Sequence, residues 1–539
     1  MEDYDFIVIG AGSAGCVLAN RLSANPDHRV LVLEAGGRDN NPVFRLPMLM
    51  GKLIYLKTYN WGYLTEPQDK LNGRRIYWPR GKVLGGSSTI NGMIYVRGNS
   101  HDYDRWAQLG NEGWSYADVL PLFRRSEGHH ERRNDFHAQN GPLIVTRGMG
   151  ENELFDTFVQ AGSQAGHPVN DDFNGSEQAG FGRYDFNIRF GRRWSSAHAF
   201  LHPARVRPNV TIATGASANR IVVHNCQAIG VEYEHHGRVI TARARQEIVL
   251  AAGAVNSPQI LMLSGIGDPA ELGRHGISVV HSLPGVGKNL QDHVDVRVDY
   301  ECRRPVSLYR HLRVDRFALA LLKGVFGRGV ISTFPYEGGA FIKSDPNLLA
   351  PDIQIHFMPA LHSSTAGLHW LERRNGQPKH GFTFIVGPVN PASRGYIALR
   401  SRNPRDSVAI HANYLTNRSD IDALIKGIAL VREVVAQKAF DDYRGRELGP
   451  GPGRTSEESL REWIKDAANT TLHPVGTCKM GDDRAAVVDA RLRVHGIARL
   501  RVADASIMPI ITSGNTNAPS IMIGEKASEM ILVDSKRNV

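Results

Sequence analysis

The stretch DFIVIGAGSAGCVLANRLSANPDHRVLVLEAGG, residues 5–37, constrains the fold of this chain more than any other part. Residues 5–9 are almost wholly apolar, the pattern of a strand buried on both faces of a parallel sheet. Gly10, Gly12 and Gly15 follow as G-x-G-x-x-G, and Val17, Leu18 and Leu22 then share one helical face. Asn25 and Pro26 stop that helix, and a second apolar strand, 30–33, runs into Glu34. Such glycines give a tight turn, backbone access to a pyrophosphate and close helix packing, while the acid reaches ribose hydroxyls. A glycine triplet alone is a weak signal. Strand, turn, helix, strand and acid in this order predict a dinucleotide-binding unit in an α/β fold. FAD and NAD both fit that cradle.

Composition narrows the partners. The chain has 539 residues, enough for two or three domains. Its 55 glycines gather in short motifs without a period, which suits tight turns and close ligand approach. A net charge of +10 is mild for this length, and no polybasic run accompanies it. Nucleic acid is therefore not an expected partner, whereas an anionic cofactor or anionic membrane surface is compatible. Cys16, Cys226, Cys302 and Cys478 form no CxxC pair, so neither a disulfide framework nor a zinc ribbon is expected, and a reducing compartment is. The opening MEDYDFIVIGAG runs directly into the first strand, and no apolar run reaches transmembrane length. The expected location is cytoplasmic, with contact at the inner face of the membrane left open.

TLHPVGTCKMG, residues 471–481, sets His473 five positions before Cys478 and directly before Pro474. A metal site needs three or four ligands, and no HxxxH or CxxC partner is present, so no metal is expected. Taken alone, His473 reads either as a satisfied structural histidine or as a base aimed at something supplied elsewhere. Cys478 reads as packing.

Two longer stretches separate these alternatives. GKVLGGSSTINGMIYVRG (81–98) is a glycine-serine loop leading into an apolar segment, and AAGAVNSPQILMLSGIG (251–267) joins a small-residue strand end to a helix. Both resemble the signatures of the glucose–methanol–choline (GMC) oxidoreductases, which are FAD-dependent alcohol oxidases and dehydrogenases. The resemblance continues to SGNTNAPSIMIGEKASEMIL (513–532) and so covers almost the whole chain. It implies FAD contacts at Gly10, Gly12, Ser13, Ala14, Gly15, Glu34 and Ala35, and at Val83, Gly86, Ser87, Asn91, Gly92, Met93 and Ile94 in the second loop. It also implies contacts at Val222, Ala252, Gly253, Ser257, Asp504, Ala505, Asn515 and Thr516. Some family members attach FAD through a histidine directly before the asparagine of the 81–98 loop; Ile90 stands there, so dissociable, non-covalent FAD is expected.

The same resemblance makes His473 the active-site histidine. Alcohol oxidation by a flavin takes a hydroxyl proton and moves a hydride from the same carbon to flavin N5, and an imidazole suits the proton's removal. Pro474 restricts His473 to extended backbone, which helps aim the ring. Counting back seven positions from Gly524 assigns Asn517 to hold the substrate oxygen, and the plainer reading of Asn517 is a helix cap beside Pro519.

The fold expected is a Rossmann-like FAD-binding domain interleaved with a substrate domain on a large, mainly antiparallel sheet. The FAD domain would take residues 1–150, 200–290 and 465–539, and the substrate domain 151–199 and 291–464. DIQIHFMP (352–359) and GFTFIVGPV (381–389) read as strands with one buried face. In STFPYEGGAF (332–341), Phe334 and Tyr336 are candidate pocket walls, and Glu337 reads as a surface residue. HHERRNDFHAQN (129–140) reads as a solvated excursion or a lid. RHLRVDRFALALLKGVFGRGV (310–330) is apolar with interspersed Arg310, Arg313, Arg316, Lys323 and Arg328, compatible with peripheral membrane contact near a quinone-type acceptor. The function implied is oxidation of a primary alcohol, aliphatic or aromatic. Choline dehydrogenase and an oxygen-using alcohol oxidase are the alternatives, with hydroxynitrile lyase chemistry over idle FAD as the alternative class.

Overall fold

The strand at the start of the chain, Asp3–Ile9, lies between Val30–Glu34 and Arg238–Leu250 and runs parallel to both. The computed structural model that shows this describes residues 3–312, 314–361 and 380–537. Val210–Thr214 extends the parallel set beyond Val30–Glu34, and Leu500–Val502 pairs in parallel with the end of Arg238–Leu250. The first half of that 13-residue strand instead pairs antiparallel with Gln227–His235, which pairs with Ala216–His224. One seven-stranded sheet results. Its middle is dry: Phe6, Ile7 and Val8 have no exposed surface, and all of Val30–Glu34 is buried, as burial on both faces demands.

The helix Ser13–Leu22 covers this sheet, and the terminal helix Asn517–Arg537 covers that helix. A Cβ at Gly524 would stand 2.8 Å from the Ala14 carbonyl oxygen, so the two helices meet backbone to backbone. Beside it, the fully buried Glu525 carboxylate takes ion pairs from Arg21 at 2.7 Å and Arg125 at 2.8 Å.

A second seven-stranded sheet runs Arg444–Gly449, Val294–Cys302, Gly381–Pro388, Ile353–Met358, Gly338–Ile342, Gly180–Arg183, each pair antiparallel. Asn469–Thr470 pairs with the start of Val294–Cys302 and so delivers the segment that carries His473. Val294, Val296 and Val298 alternate into the core, where Phe357, Phe382, Phe384 and Phe440 stack or meet edge-on. The α/β fold with a Rossmann-like unit and a large antiparallel sheet is thus present. Among the described residues, no helix is long and apolar enough to cross a membrane.

One expectation is corrected here and another is refined. Glu337 is 1% exposed, not a surface residue: its carboxylate accepts from the Gly150 N–H at 2.6 Å, and burial pushes its pKa up to about 7. The 129–140 segment is solvated over most of its length, with His130, Glu131, Arg133, Asn134, Asp135, Gln139 and Asn140 exposed, but two of its histidines are anchored inside. His129 and His137 are buried, with His137 held between Glu127 at 3.0 Å and Asp172 at 2.9 Å. Glu127 in turn pairs with the buried Arg97 at 2.9 Å.

Candidate active site

A cavity of about 640 Å³ opens between the two sheets. Ile9, Leu33 and Ala251 line it from the first sheet and its strand ends, and Asp295, Arg297, His356 and Ile385 from the second. At one end stands the N-terminus of Ser13–Leu22. Gly12 caps this helix with no side-chain hydrogen bond, and no acid occupies the first turn, so its amides and dipole are left for an anion. Gly10 takes φ +99°, and any Cβ there would strike the Ala251 carbonyl oxygen at 2.5 Å. Glu34 accepts from the Ala11 N–H at 2.9 Å and the Gly36 N–H at 2.8 Å, and burial raises its pKa to about 7. The 81–98 loop closes over this point. Gly86 sits at φ +53°, and a Cβ there would lie 2.8 Å from Gly12 Cα. An uncapped helix end, side-chain-free loops and a buried acid along one cavity fit FAD.

Most residues expected at the cofactor line this cavity: Gly10, Gly12, Ser13, Ala14, Glu34, Ala35, Gly86, Ser87, Asn91, Gly92, Met93, Ile94, Ala252, Gly253, Asp504, Ala505, Asn515 and Thr516. Four do not. Gly15 packs against Gly10, whose carbonyl oxygen leaves no room for a Cβ, at 1.9 Å. Val83 is buried with Phe44, Leu53 and Ile90. Ser257 donates its hydroxyl to Asp504 at 2.6 Å. Val222 lies further along its strand, paired with Gly230, and Ala216, Ser217 and Ala218 form the wall instead.

The histidine end is built by hydrogen bonds from two directions. The His473 backbone N–H donates to Asp292 at 2.6 Å, and Tyr414 and Thr470 donate their hydroxyls to the same carboxylate. Leu472, just before, holds φ +68°; the Thr470 hydroxyl accepts from its N–H at 2.8 Å, and Arg80 donates to its carbonyl at 2.6 Å. The ring is thereby fixed. Its Nδ1 lies 2.9 Å from Nδ1 of His293, whose Nε2 lies 2.8 Å from the Val389 carbonyl oxygen. A carbonyl only accepts, so His293 Nε2 carries the proton and its Nδ1 is an acceptor. His473 therefore donates from Nδ1 and presents a lone pair at Nε2, which accepts from Asn515 Nδ2 at 3.1 Å. Burial lowers His293 to about 4, and burial with repulsion from His293, His356 and Arg80 holds His473 well below the usual imidazole range. Both rings are neutral at physiological pH.

Asn517 lines the cavity, but it is not the carboxamide bonded to His473. It begins the terminal helix, its Oδ1 accepts from the Ser13 hydroxyl at 2.7 Å, and its Nδ2 lies 3.4 Å from Asn187. The carboxamide that meets His473 belongs to Asn515, oriented by Gln354 Nε2 at 3.3 Å from its oxygen. Two positions were missed altogether. His293 and the cavity-lining His356, held neutral by burial at about 3, gave no local motif; only strand alternation in DIQIHFMP hinted that His356 shares a face with Gln354.

Comparison with known proteins agrees with this architecture. The chain matches the GMC oxidoreductase family over residues 4–295 and again over 391–524. It is 45% identical to the oxygen-dependent choline dehydrogenases of Brucella anthropi, over 98% of this chain and 96% of that one, and of Rhizobium etli, over 98% and 95%. Among solved structures it resembles pyridoxine 4-oxidase from Mesorbium loti, with TM-score 0.88, 31% identity and 98% of each chain covered. It also resembles formate oxidase from Aspergillus oryzae, with TM-score 0.92 and 26% identity over 100% of this chain and 99% of that one.

Proposed function

The chain belongs to the FAD-dependent GMC oxidoreductases, and from that premise we propose that it oxidises a primary alcohol to the aldehyde with His473 as the base. One observation carries the reading: a buried, neutral imidazole whose tautomer is fixed by His293 presents its Nε2 lone pair at the cavity, beside the Asn515 amide. Bound FAD supplies the two-electron acceptor for the carbinol carbon. His473 takes the hydroxyl proton at Nε2, and Asn515 Nδ2 and His356 hold the oxygen as negative charge develops on it. Ile90, where a tethering histidine would stand, supports dissociable FAD. In this reading residues 1–150, 200–290 and 465–539 hold the cofactor, and 151–199 and 291–464 the substrate. Anaerobic mixing of the holoenzyme with an aliphatic and a benzylic primary alcohol tests the reading. Bleached flavin with one aldehyde per flavin is expected, and unbleached flavin with both would reject it.

Choline is the second reading. Its relatives' names favour it, as does the placement of Asp295 with Tyr55, Trp61, Tyr77, Phe334 and Tyr336 on the same cavity.

The electron acceptor in this reading is a quinone, reached at the inner face of a membrane. Leu319, Leu322 and Phe326, in and just after the helix Val314–Val325, are exposed, as is Phe190 at the hairpin tip whose backbone meets Gly327. Arg189, Arg192, Lys323 and Arg328 are exposed among them, and Arg313 lies outside the described residues. Apolar tips set among cations suit an anionic lipid surface. Flotation with phosphatidylglycerol vesicles that is lost in a Phe190→Ser, Phe326→Ser double variant is expected; wild-type protein left at the bottom of the gradient would reject membrane contact.

A further inference from the structure

The strand that leads away from the base carries two polar side chains, Asp295 and Arg297, that the proton and hydride transfer above does not use. Asp295 and Arg297 alternate with Val294, Val296 and Val298, so these two polar residues line the cavity and the valines face the core. Arg297 stands four residues beyond His293, about 13 Å along an extended strand. The strand acts as a ruler running from the carbinol site toward the far wall.

Both polar groups are incompletely satisfied. The Nε of Arg297 is out of solvent with no hydrogen-bond partner, and Arg297 enters no ion pair among the described residues. Asp295 is 3% exposed; its Oδ1 has no partner, and its Oδ2 accepts from the Thr471 hydroxyl at 3.3 Å. Open polar atoms on the wall of a binding cavity mark where a ligand's own polar atoms fit. Arg74, within electrostatic reach of Arg297, gives its N–H groups to the Lys465 and Ala468 carbonyls. Carbonyls satisfy these donors without cancelling the charge; Asp466 offsets part of it, and Arg297 adds a second cation, so the balance at this end of the cavity is positive. Burial pushes the Asp295 carboxyl up, toward its neutral form, even with Arg297 beside it.

We infer that Arg297 receives an anionic group, a carboxylate in the simplest case, borne by the alcohol several bonds from its carbinol carbon, while Asp295 meets a neutral polar part of the same molecule. The inference rests on the alcohol-oxidation reading and names its substrate class. A trimethylammonium group at this end would face Arg297 and Arg74, like charge against like. Hydroxy acids are therefore preferred to alkanols of equal length, and alkanols to choline.

The test compares ω-hydroxyhexanoate, hexanol and choline as anaerobic reductants of the holoenzyme, by kcat/KM. The expected order is hydroxyhexanoate, hexanol, choline. Arg297→Gln lowers the hydroxyhexanoate-to-hexanol ratio about tenfold or more, the size expected for losing a charged hydrogen-bond partner. Arg297→Lys, which keeps the charge, retains more of that ratio, and Arg297→Glu raises choline relative to hydroxyhexanoate. Hexanoate, which has no carbinol, perturbs the flavin absorbance of the wild type and binds more weakly to Arg297→Gln. A ratio unchanged in Arg297→Gln, or wild-type choline turnover above that of hydroxyhexanoate, overturns the assignment. If none of the three alcohols reduces the flavin while hexanoate still binds through Arg297, the alcohol reading falls and the anion site stands.

Discussion

Replacing His293 with leucine tests the chain of hydrogen bonds that fixes the base. His293 gives its Nε2–H to the Val389 carbonyl at 2.8 Å and offers Nδ1 to the His473 Nδ1–H at 2.9 Å. Leucine removes that acceptor. The tautomer with its lone pair at Nε2 then buries an unsatisfied N–H, at a cost of about 1–3 kcal/mol. The ring is freed to move its proton to Nε2, where it can no longer serve as a base. At about 1.4 kcal/mol per decade, this lowers the reactive fraction, and with it the rate of flavin reduction, roughly 5- to 150-fold. Glutamine is the control, because its oxygen can accept from His473 while its amide donates to Val389; His293→Gln should recover to within about tenfold of wild type. Anaerobic stopped-flow bleaching at saturating alcohol, normalised to bound FAD, reads both variants. A His293→Leu enzyme with full FAD and wild-type speed, or a His293→Gln enzyme no faster than His293→Leu, would refute the tautomer argument.

Other outcomes follow from the same geometry. His473 is held well below the ordinary imidazole value of 6.5, and its neutral form is the active one. Because protonation sets in only below that lowered value, kcat/KM should stay level as the pH falls from about 8 through 6.5; an acid limb at 6.5 or above, absent from a control in which chemistry is not limiting, would contradict this. Asn515→Leu should slow flavin reduction about 10²–10³-fold with FAD retained, the effect of losing a donor at developing negative charge. Asn517→Leu, which breaks the contact with Ser13, should instead weaken FAD retention on dilution, and a reversed pattern would reject the reassignment. Gly86→Val forces a β-branched side chain into φ +53° against Gly12 Cα, so the purified variant should be colourless; a normal flavin spectrum would show that the loop yields.

The cofactor half was legible because it is local. A strand, a glycine turn, a helix and an acid within residues 5–34 each leave a separate mark, and their order carries the geometry. The catalytic half depends on contacts between residues far apart in the chain. His293 and His473 are separated by 180 positions and meet only because Asn469–Thr470 pairs with Val294–Cys302. The Asn515 and Asn517 exchange has a similar origin. They lie two residues apart at the start of the last helix, and counting from Gly524 cannot say which carboxamide looks forward to the base and which turns back to Ser13; the helix start at Asn517 decides it. Glu337 and the two buried histidines of the otherwise exposed 129–140 segment misled for a related reason. Charged residues in loop-like sequence read as solvated, whereas here Gly150, Asp172 and Glu127 supply the partners that make burial tolerable.

Single-turnover reduction of the flavin in His473→Ala tests the central claim most directly. With FAD content equal to wild type, a primary alcohol should bleach the variant about 10²–10⁴ times more slowly, the range for loss of a general base. Bleaching at the wild-type rate would show that His473 Nε2 is not where the hydroxyl proton goes.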